Sequence, residues 1–328
     1  MIRRILVPLD GSVRAEGVLP HALVVAKTFG ARLDLLHVIP AEGDGEGGSP
    51  TDPFGVRMAR AHWARYMDGK AAALRAEGVE VRARVEEGPP SGEIVELLNR
   101  GEYDLVALSA HGAGNARSLR MGCTAASVIL NSGTGILLVP TGEGRGTAAE
   151  AVPYRRILAP VDCSPRSDWS LGIAGAIARR SQASLRVVHV LDCPEIVSRL
   201  PGTAGAAAFV KRLRELNRSE ARRYLDEVSW RFQAQGVPVE CEVIEGRDTP
   251  AEAILAMAAK IGIDLMVLSA HGRGSSPVWP LGGTAAKLTF WAHQPILILQ
   301  DQPAGGSRVG RRLRSDHRAV AGERGAGY

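Results

Sequence analysis

Residues 103–126 read YDLVALSAHGAGNARSLRMGCTAA, and residues 263–286 read IDLMVLSAHGRGSSPVWPLGGTAA, identical at twelve of twenty-four positions. Upstream, RRILVPLDGS at 3–12 returns as RRILAPVDCS at 155–164, identical at seven of ten. The offset between copies is 152 residues at Asp10/Asp162 and His37/His189, 158 at Gly88/Gly246 and 160 at Gly112/Gly272. Slippage of that size is what loop-length differences produce, so the chain is one domain written twice. The reading places the first domain at 1–141, a Gly/Ala/Glu linker at 142–151, the second domain at 152–300 and an Arg/Gly-rich tail, expected to be disordered, at 301–328.

Within each copy, short β-branched runs alternate with longer stretches of helical period. The expected strands are 4–9, 32–38, 80–85, 105–109 and 136–139, then 156–161, 184–190, 238–244, 265–269 and 296–299. Runs such as ILVPL and ILLVP are apolar on both faces, as strands covered by helices on either side of a parallel sheet must be. Thr249, Pro250 and Glu252 mark a helix start with an N-cap, a first-turn proline and a capping-box acid, and Ser91 suggests a weaker equivalent. The fold class is α/β: two tandem, doubly wound, five-stranded parallel-sheet domains of Rossmann-like type.

Composition agrees with a globular chain: 328 residues, 45% apolar and 23% charged. The net charge of +5 invites a nucleic-acid reading, so its distribution matters. Residues 1–141 carry 15 basic and 16 acidic side chains, residues 142–300 carry 19 and 16, and the tail carries 6 and 3. More than half of the excess therefore sits in the tail, and nucleic acid is an improbable partner of the folded part. Non-specific association through Arg308, Arg311, Arg312, Arg314 and Arg318 is the residual form of that idea. No apolar run reaches the roughly 18 residues of a membrane span and no export-signal layout opens the chain, so a cytoplasmic protein without membrane insertion is expected. The four cysteines, Cys123, Cys163, Cys193 and Cys241, form no CxxC pair, which disfavours a disulfide scaffold or structural zinc.

In open α/β sheets the ligand crevice lies beyond the carboxyl ends of the strands, where strand order reverses. There the first strand runs through Pro8 into Asp10 and Ser12 (Pro160, Asp162 and Ser164), and the second ends at Val38 (Val190). The fourth runs into Ser109, His111 and Gly112 (Ser269, His271 and Gly272). Nine residues separate Gly112 from Gly122, which precedes Cys123 and Thr124, and nine separate Gly272 from Gly282, which precedes Gly283 and Thr284. A glycine that opens an apolar helix leaves backbone N–H groups and the positive dipole end facing the loop, an anion site. It is a phosphate cradle without a Walker lysine, because GxxxxGK[ST] is absent.

On these residues the chain resembles a tandem universal stress protein of the UspA family over residues 1–300. ATP-binding members carry GxxGx9G followed by Ser or Thr; here Ser109 and Ser269 stand at the first glycine, and Cys123 and Gly283 follow the last. Thr124 and Thr284, one place later, are the candidate hydroxyl donors. The resemblance implies an adenine nucleotide alpha hydrolase-like fold, adenine against Asp10 and Asp162 and the backbone at Val38 and Val190, and ribose and phosphates on the Gly loop and following helix. The implied cofactor is ATP or another adenine nucleotide, with magnesium as an optional companion. The implied role is a regulatory stress-response module. A nucleotide-independent scaffold and a slow ATPase are the alternatives, since no GxSxG, HExxH or Walker pair supplies a catalytic constellation. The last strands, GILLVP and QPILIL, are edge candidates, and in this family such strands pair between domains, which implies a pseudo-twofold dimer within one chain and leaves a homodimer open.

Other residues have plainer readings. His37 and His189 suit the core, whereas His111 and His271, inside the Gly loop, suit either the loop or a ligand. Cys163 and Cys193 follow adjacent strand ends and form either a redox pair or, more simply, incidental thiols. Trp63 and Tyr66, like Phe209 and Trp230, fall on the long helix after the second strand and are expected to serve packing or domain contact.

Overall fold

The computed structural model describes residues 1–40, 53–113, 121–140, 152, 154–191, 204–246, 249–272 and 280–300. In the first copy the elements are β1 (Arg4–Pro8), α1 (Val13–Glu16), α2 (Leu19–Phe29), β2 (Arg32–Ile39), α3 (Pro53–Ala76), β3 (Val81–Glu87), α4 (Pro90–Asn99), β4 (Leu105–Ser109), α5 (Cys123–Asn131) and β5 (Gly135–Val139). The second supplies β6 (Arg156–Pro160), α6 (Pro165–Ser181), β7 (Ser184–Val190), α7 (Ala204–Gln233), β8 (Val239–Ile244), α8 (Pro250–Ile261), β9 (Leu265–Ser269), α9 (Gly283–Trp291) and β10 (Ile296–Leu299). All ten expected strands are present, with ends displaced by at most two residues. The segments 142–151 and 301–328 lie outside the described residues.

Strand order is β3-β2-β1-β4-β5-β10-β9-β6-β7-β8, one ten-stranded sheet. Within each half every pairing is parallel. Between the halves β5 and β10 run antiparallel, with Ile296, Leu297 and Ile298 opposite Leu138, Leu137 and Ile136. Alternate side chains feed two cores, one on each face. Ile5, Val7, Leu33 and Leu35 enter the first with Ile157, Leu185 and Val187. Leu6, Leu36, Val106 and Leu108 enter the second with Leu158, Val188 and Met266. Each core is continuous across both halves, because helices lie on both faces of the sheet.

Helix starts divide between expected and unexpected. Thr249 caps α8 in a capping box with Glu252. Ser91 does not cap α4: Pro89 holds the N-cap position, and the helix starts one residue before the serine. A second correction concerns the long helices. Trp63 and Tyr66 face inward, but Phe209 and Trp230 are 56% and 75% exposed. At 30 residues α7 is about 45 Å long, whereas the six-residue β8 spans about 20 Å, so the early turns of the helix overrun the sheet. Only the face carrying Leu225, Val228 and Phe232 meets the core, and Trp230 lies off that face.

Across the pairing face, His21 of α2 and Tyr154, just before β6, share a buried hydrogen bond of 2.7 Å between Nδ1 and the hydroxyl. At the positions related by the repeat stand Ile2 and Ile173, both in the same apolar core. Removing the hydroxyl by Tyr154→Phe strips a buried ring nitrogen of this partner, a loss of about 1–3 kcal/mol. Urea denaturation should show it as a lower midpoint with an unchanged slope.

Candidate functional site

The crevice is built by the loop after β1, the carboxyl end of β2, residues 110–113 after β4 and the start of α5. Asp10 follows Leu9, whose N–H bonds to Leu36 O at 2.8 Å, so the loop leaves the sheet from a fixed point. Asp10 Oδ1 accepts from Ser12 N at 2.9 Å and Ser12 Oγ at 2.6 Å, and Oδ2 accepts from Ala113 N at 2.7 Å. The carboxylate thus ties the β1 loop to the Gly loop. In the second copy Asp162 Oδ1 accepts from Ser164 N at 3.1 Å. The contact explains a glycine: a Cβ on Gly112 would fall 2.1 Å from Asp10 Oδ2, and one on Gly272 would fall 2.4 Å from Asp162 Oδ2.

The far side of the crevice is a helix N-terminus. Gly122 caps α5 and Gly282 caps α9, both with extended backbone and no side-chain capping bond. Their own N–H groups bond to Ala110 O at 2.7 Å and Ala270 O at 2.8 Å, fastening each helix start to the end of β4 or β9. Cys123, Thr124, Gly283 and Thr284 open these helices and are exposed. The first-turn N–H groups consequently face the crevice mouth, the donor set an oxyanion of a phosphate requires. Ser109 and Ser269 turn their hydroxyls onto the carbonyls of His111 and His271. That serine chemistry closes the loop locally, and His271 is buried while His111 is half-buried.

The structure therefore gathers Asp10, Ser12, Ser109, His111, Gly112 and Gly122 into one cluster, with Cys123 and Thr124 on its rim. Asp162, Ser164, Ser269, His271, Gly272 and Gly282 form its repeat, with Gly283 and Thr284 at the rim. Pro8 and Pro160 close β1 and β6 and lie in the ladder opposite Leu36 and Val188. Val38 and Val190 sit at the strand ends opposite Glu86 and Ile244.

Trp63 is a component that sequence reading left in the packing class. Its ring stacks on His37 with centroids 3.7 Å apart and planes 23° from parallel. Gly11, at φ +82°, lies under it: a Cβ there would sit 2.6 Å from the indole. His37 is buried, and its Nδ1 bonds to Leu9 O at 2.8 Å, one residue before Asp10. In the second copy Cys163 occupies the glycine position at φ +59°, and the register of α7 puts the small, buried Ala221 at the tryptophan position. Glycine with tryptophan has become cysteine with alanine: the turn residue can carry a side chain where the helix no longer presents an indole. His189 keeps the bond to the strand end, 2.9 Å to Val161 O, with Cys163 Sγ at 3.6 Å. Cys163 forms no disulfide among the described residues, and Cys193, its suggested redox partner, lies outside them.

Two outcomes follow. Gly11→Cys in the first copy strains the turn and collides with the indole, and Trp63→Ala relieves the collision. The double-mutant cycle should give a favourable coupling of about 1–3 kcal/mol by chemical denaturation. His37 is held below its ordinary pKa of 6.5, first by burial, against the opposing pull of the Leu9 carbonyl. The unfolded chain then binds this proton more readily, so the stability contribution is complete above about pH 6.5 and is lost as pH falls below it. A His37→Gln variant should show a shallower decline in unfolding free energy between about pH 6.5 and 5.

A sequence profile described as the Universal stress protein family matches residues 1–140 and again 153–300. The chain is 24% identical over 159 residues to Universal stress protein MJ0577 of Methanocaldococcus jannaschii, covering 46% of this chain and 97% of that protein. It is 26% identical over 149 residues to Universal stress protein YxiE of Bacillus subtilis, covering 45% and 99%. A solved universal stress protein from Archaeoglobus fulgidus matches the whole arrangement with a TM-score of 0.62 at 19% identity, covering 90% of this chain and 98% of that one.

Proposed function

The chain belongs to the universal stress protein family, and from that membership we propose that each half binds an adenine nucleotide at the carboxyl end of its sheet. The observation that carries the reading is the double occurrence of one arrangement: a carboxylate packed on a Cβ-less residue of the Gly loop, facing an uncapped helix N-terminus. A carboxylate at one end and backbone N–H donors at the other suit a ligand with a neutral, hydrogen-bonding base and an anionic tail.

On this reading Pro8, Asp10 and Val38 line the base end with Pro160, Asp162 and Val190 as the counterparts. His111, Gly112, Gly122, Cys123 and Thr124, and His271, Gly272, Gly282, Gly283 and Thr284, line the ribose and phosphate end. ATP, ADP and AMP all fit the scheme, with magnesium as a companion of the longer phosphates. The two domains act as a pseudo-twofold pair through the β5–β10 ladder, and occupancy of the crevices alters that packing or the surface presented to partners. The described residues include no helix long and apolar enough to cross a membrane.

A nucleotide-independent scaffold is favoured by one feature: the first helical residue after the glycine carries a thiol in Cys123 and nothing in Gly283, where a hydroxyl would serve a phosphate. Calorimetry with ATP, ADP and AMP separates the two. Wild type should release heat with at least one nucleotide, and Gly122→Val/Gly282→Val should abolish it by blocking the cradle. Absence of heat with all three nucleotides leaves the scaffold reading. Asp10→Ala and Asp162→Ala should each weaken binding roughly tenfold if the carboxylate meets the base, and unchanged affinity would make them turn residues.

A further inference from the structure

Four residues beyond the crevice carboxylate stands an arginine in each copy: Asp10, Ser12, Arg14 and Glu16 in the first, Asp162, Ser164, Arg166 and Asp168 in the second. The residues between them differ, Val13 against Pro165, Ala15 against Ser167 and Gly17 against Trp169. Three of the four retained positions have architectural work. Asp10 and Asp162 fix the loop, and Ser12 and Ser164 accept the bonds that cap α1 and α6. Glu16 accepts from the Tyr66 hydroxyl at 2.7 Å and Asp168 from the Tyr224 hydroxyl at 3.0 Å, joining each first helix to the long helix.

The arginine is of another kind. Arg14 and Arg166 are both the second residue of a helix and both exposed. In the 17-residue α6 a cation in the first turn works against the helix dipole, so helix formation does not favour Arg166 there. What the position offers is reach: Arg166 Nη1 bonds to Gly272 O at 3.3 Å, which places the guanidinium on the Gly loop itself. A planar, permanently charged fork on the carbonyl of Gly272, in the segment that leads to the uncapped start of α9, suits a phosphate oxygen.

We propose that Arg166, and Arg14 at the same place in the first copy, meet the phosphates of the bound nucleotide and make each crevice select for phosphorylated over unphosphorylated adenosine. The assignment rests on the nucleotide reading and adds the cation that the absent Walker lysine would otherwise supply. It also divides labour: the neutral end of the ligand lies toward Asp162 and the charged end toward Arg166.

The test measures ATP and adenosine affinity by calorimetry on the full chain with Arg166→Ala, Arg14→Ala, the double variant and Arg166→Lys, with circular dichroism as a folding control. Each alanine variant should weaken ATP about tenfold at its own site and leave adenosine within about twofold. Arg166→Lys should recover part of the ATP affinity. If the double variant binds ATP as wild type does, or loses adenosine as strongly as ATP, the arginines do not read phosphate and the proposal falls. If wild type binds neither ligand, the nucleotide reading itself falls, and the arginine assignment with it.

Discussion

A parallel sheet that carries its crossovers on both faces leaves no face for water. The central strands β1, β4, β5, β10, β9 and β6 are therefore buried and apolar through their middles on both sides, the edge strands β3 and β8 alternate with exposed charges, and each parallel crossover lays a helix across the sheet before the next strand can join. That constraint sets the order β3-β2-β1-β4-β5 in each half and puts the reversal between β1 and β4. The reversal opens a gap at the carboxyl ends, where Asp10 and the Gly loop meet. Since the two halves join through an antiparallel pair, β5 with β10, the two gaps open at opposite ends of the sheet.

The duplication lets one chain serve as its own comparison. Where the copies differ, they differ in pairs. Buried Asp34 of β2 takes a two-pronged bond from Arg32 and lies 4.0 Å from Arg84 of β3, whereas its counterpart Arg186 pairs with Glu240 and Glu242 of β8. The charges have changed sign together: the buried Asp34 needs its cationic partners, and the part-exposed Arg186 keeps anionic ones. Gly11 and Trp63 have likewise become Cys163 and Ala221, a larger turn residue opposite a much smaller helix residue. The equivalent ion pairs Arg60–Glu87 and Arg218–Glu245, which fasten the long helices to the ends of β3 and β8, have not changed at all.

The asymmetry extends to the pairing face. His21 and Tyr154 make a polar contact where the repeat has Ile2 and Ile173, so the halves are alike in fold without being interchangeable in contact. The crevices differ in the same way. One is backed by an indole stacked on a histidine, the other by a thiol beside one, while the carboxylate, the Gly loop and the helix start are held in common.

The repeat, the strands, the doubly wound class and the glycine spacing were legible in the amino-acid order, because each is written locally: a two-sided apolar run, a helical period, a glycine ahead of an apolar helix. The cap at Thr249 was legible for the same reason, and Ser91 misled because Pro90, one residue earlier, starts the helix just as well. Tertiary structure alone decided that Asp10 packs on Gly112, a residue about one hundred positions away, that Trp63 closes over Gly11, that His21 meets Tyr154, and that Arg166 reaches the Gly loop. Each depends on two elements arriving at one place from distant parts of the chain, and no local pattern records which side chain will stand opposite which. The exposure of Phe209 and Trp230 was hidden likewise, since the first depends on how far a helix outruns the strands it covers and the second on which face of that helix meets the core.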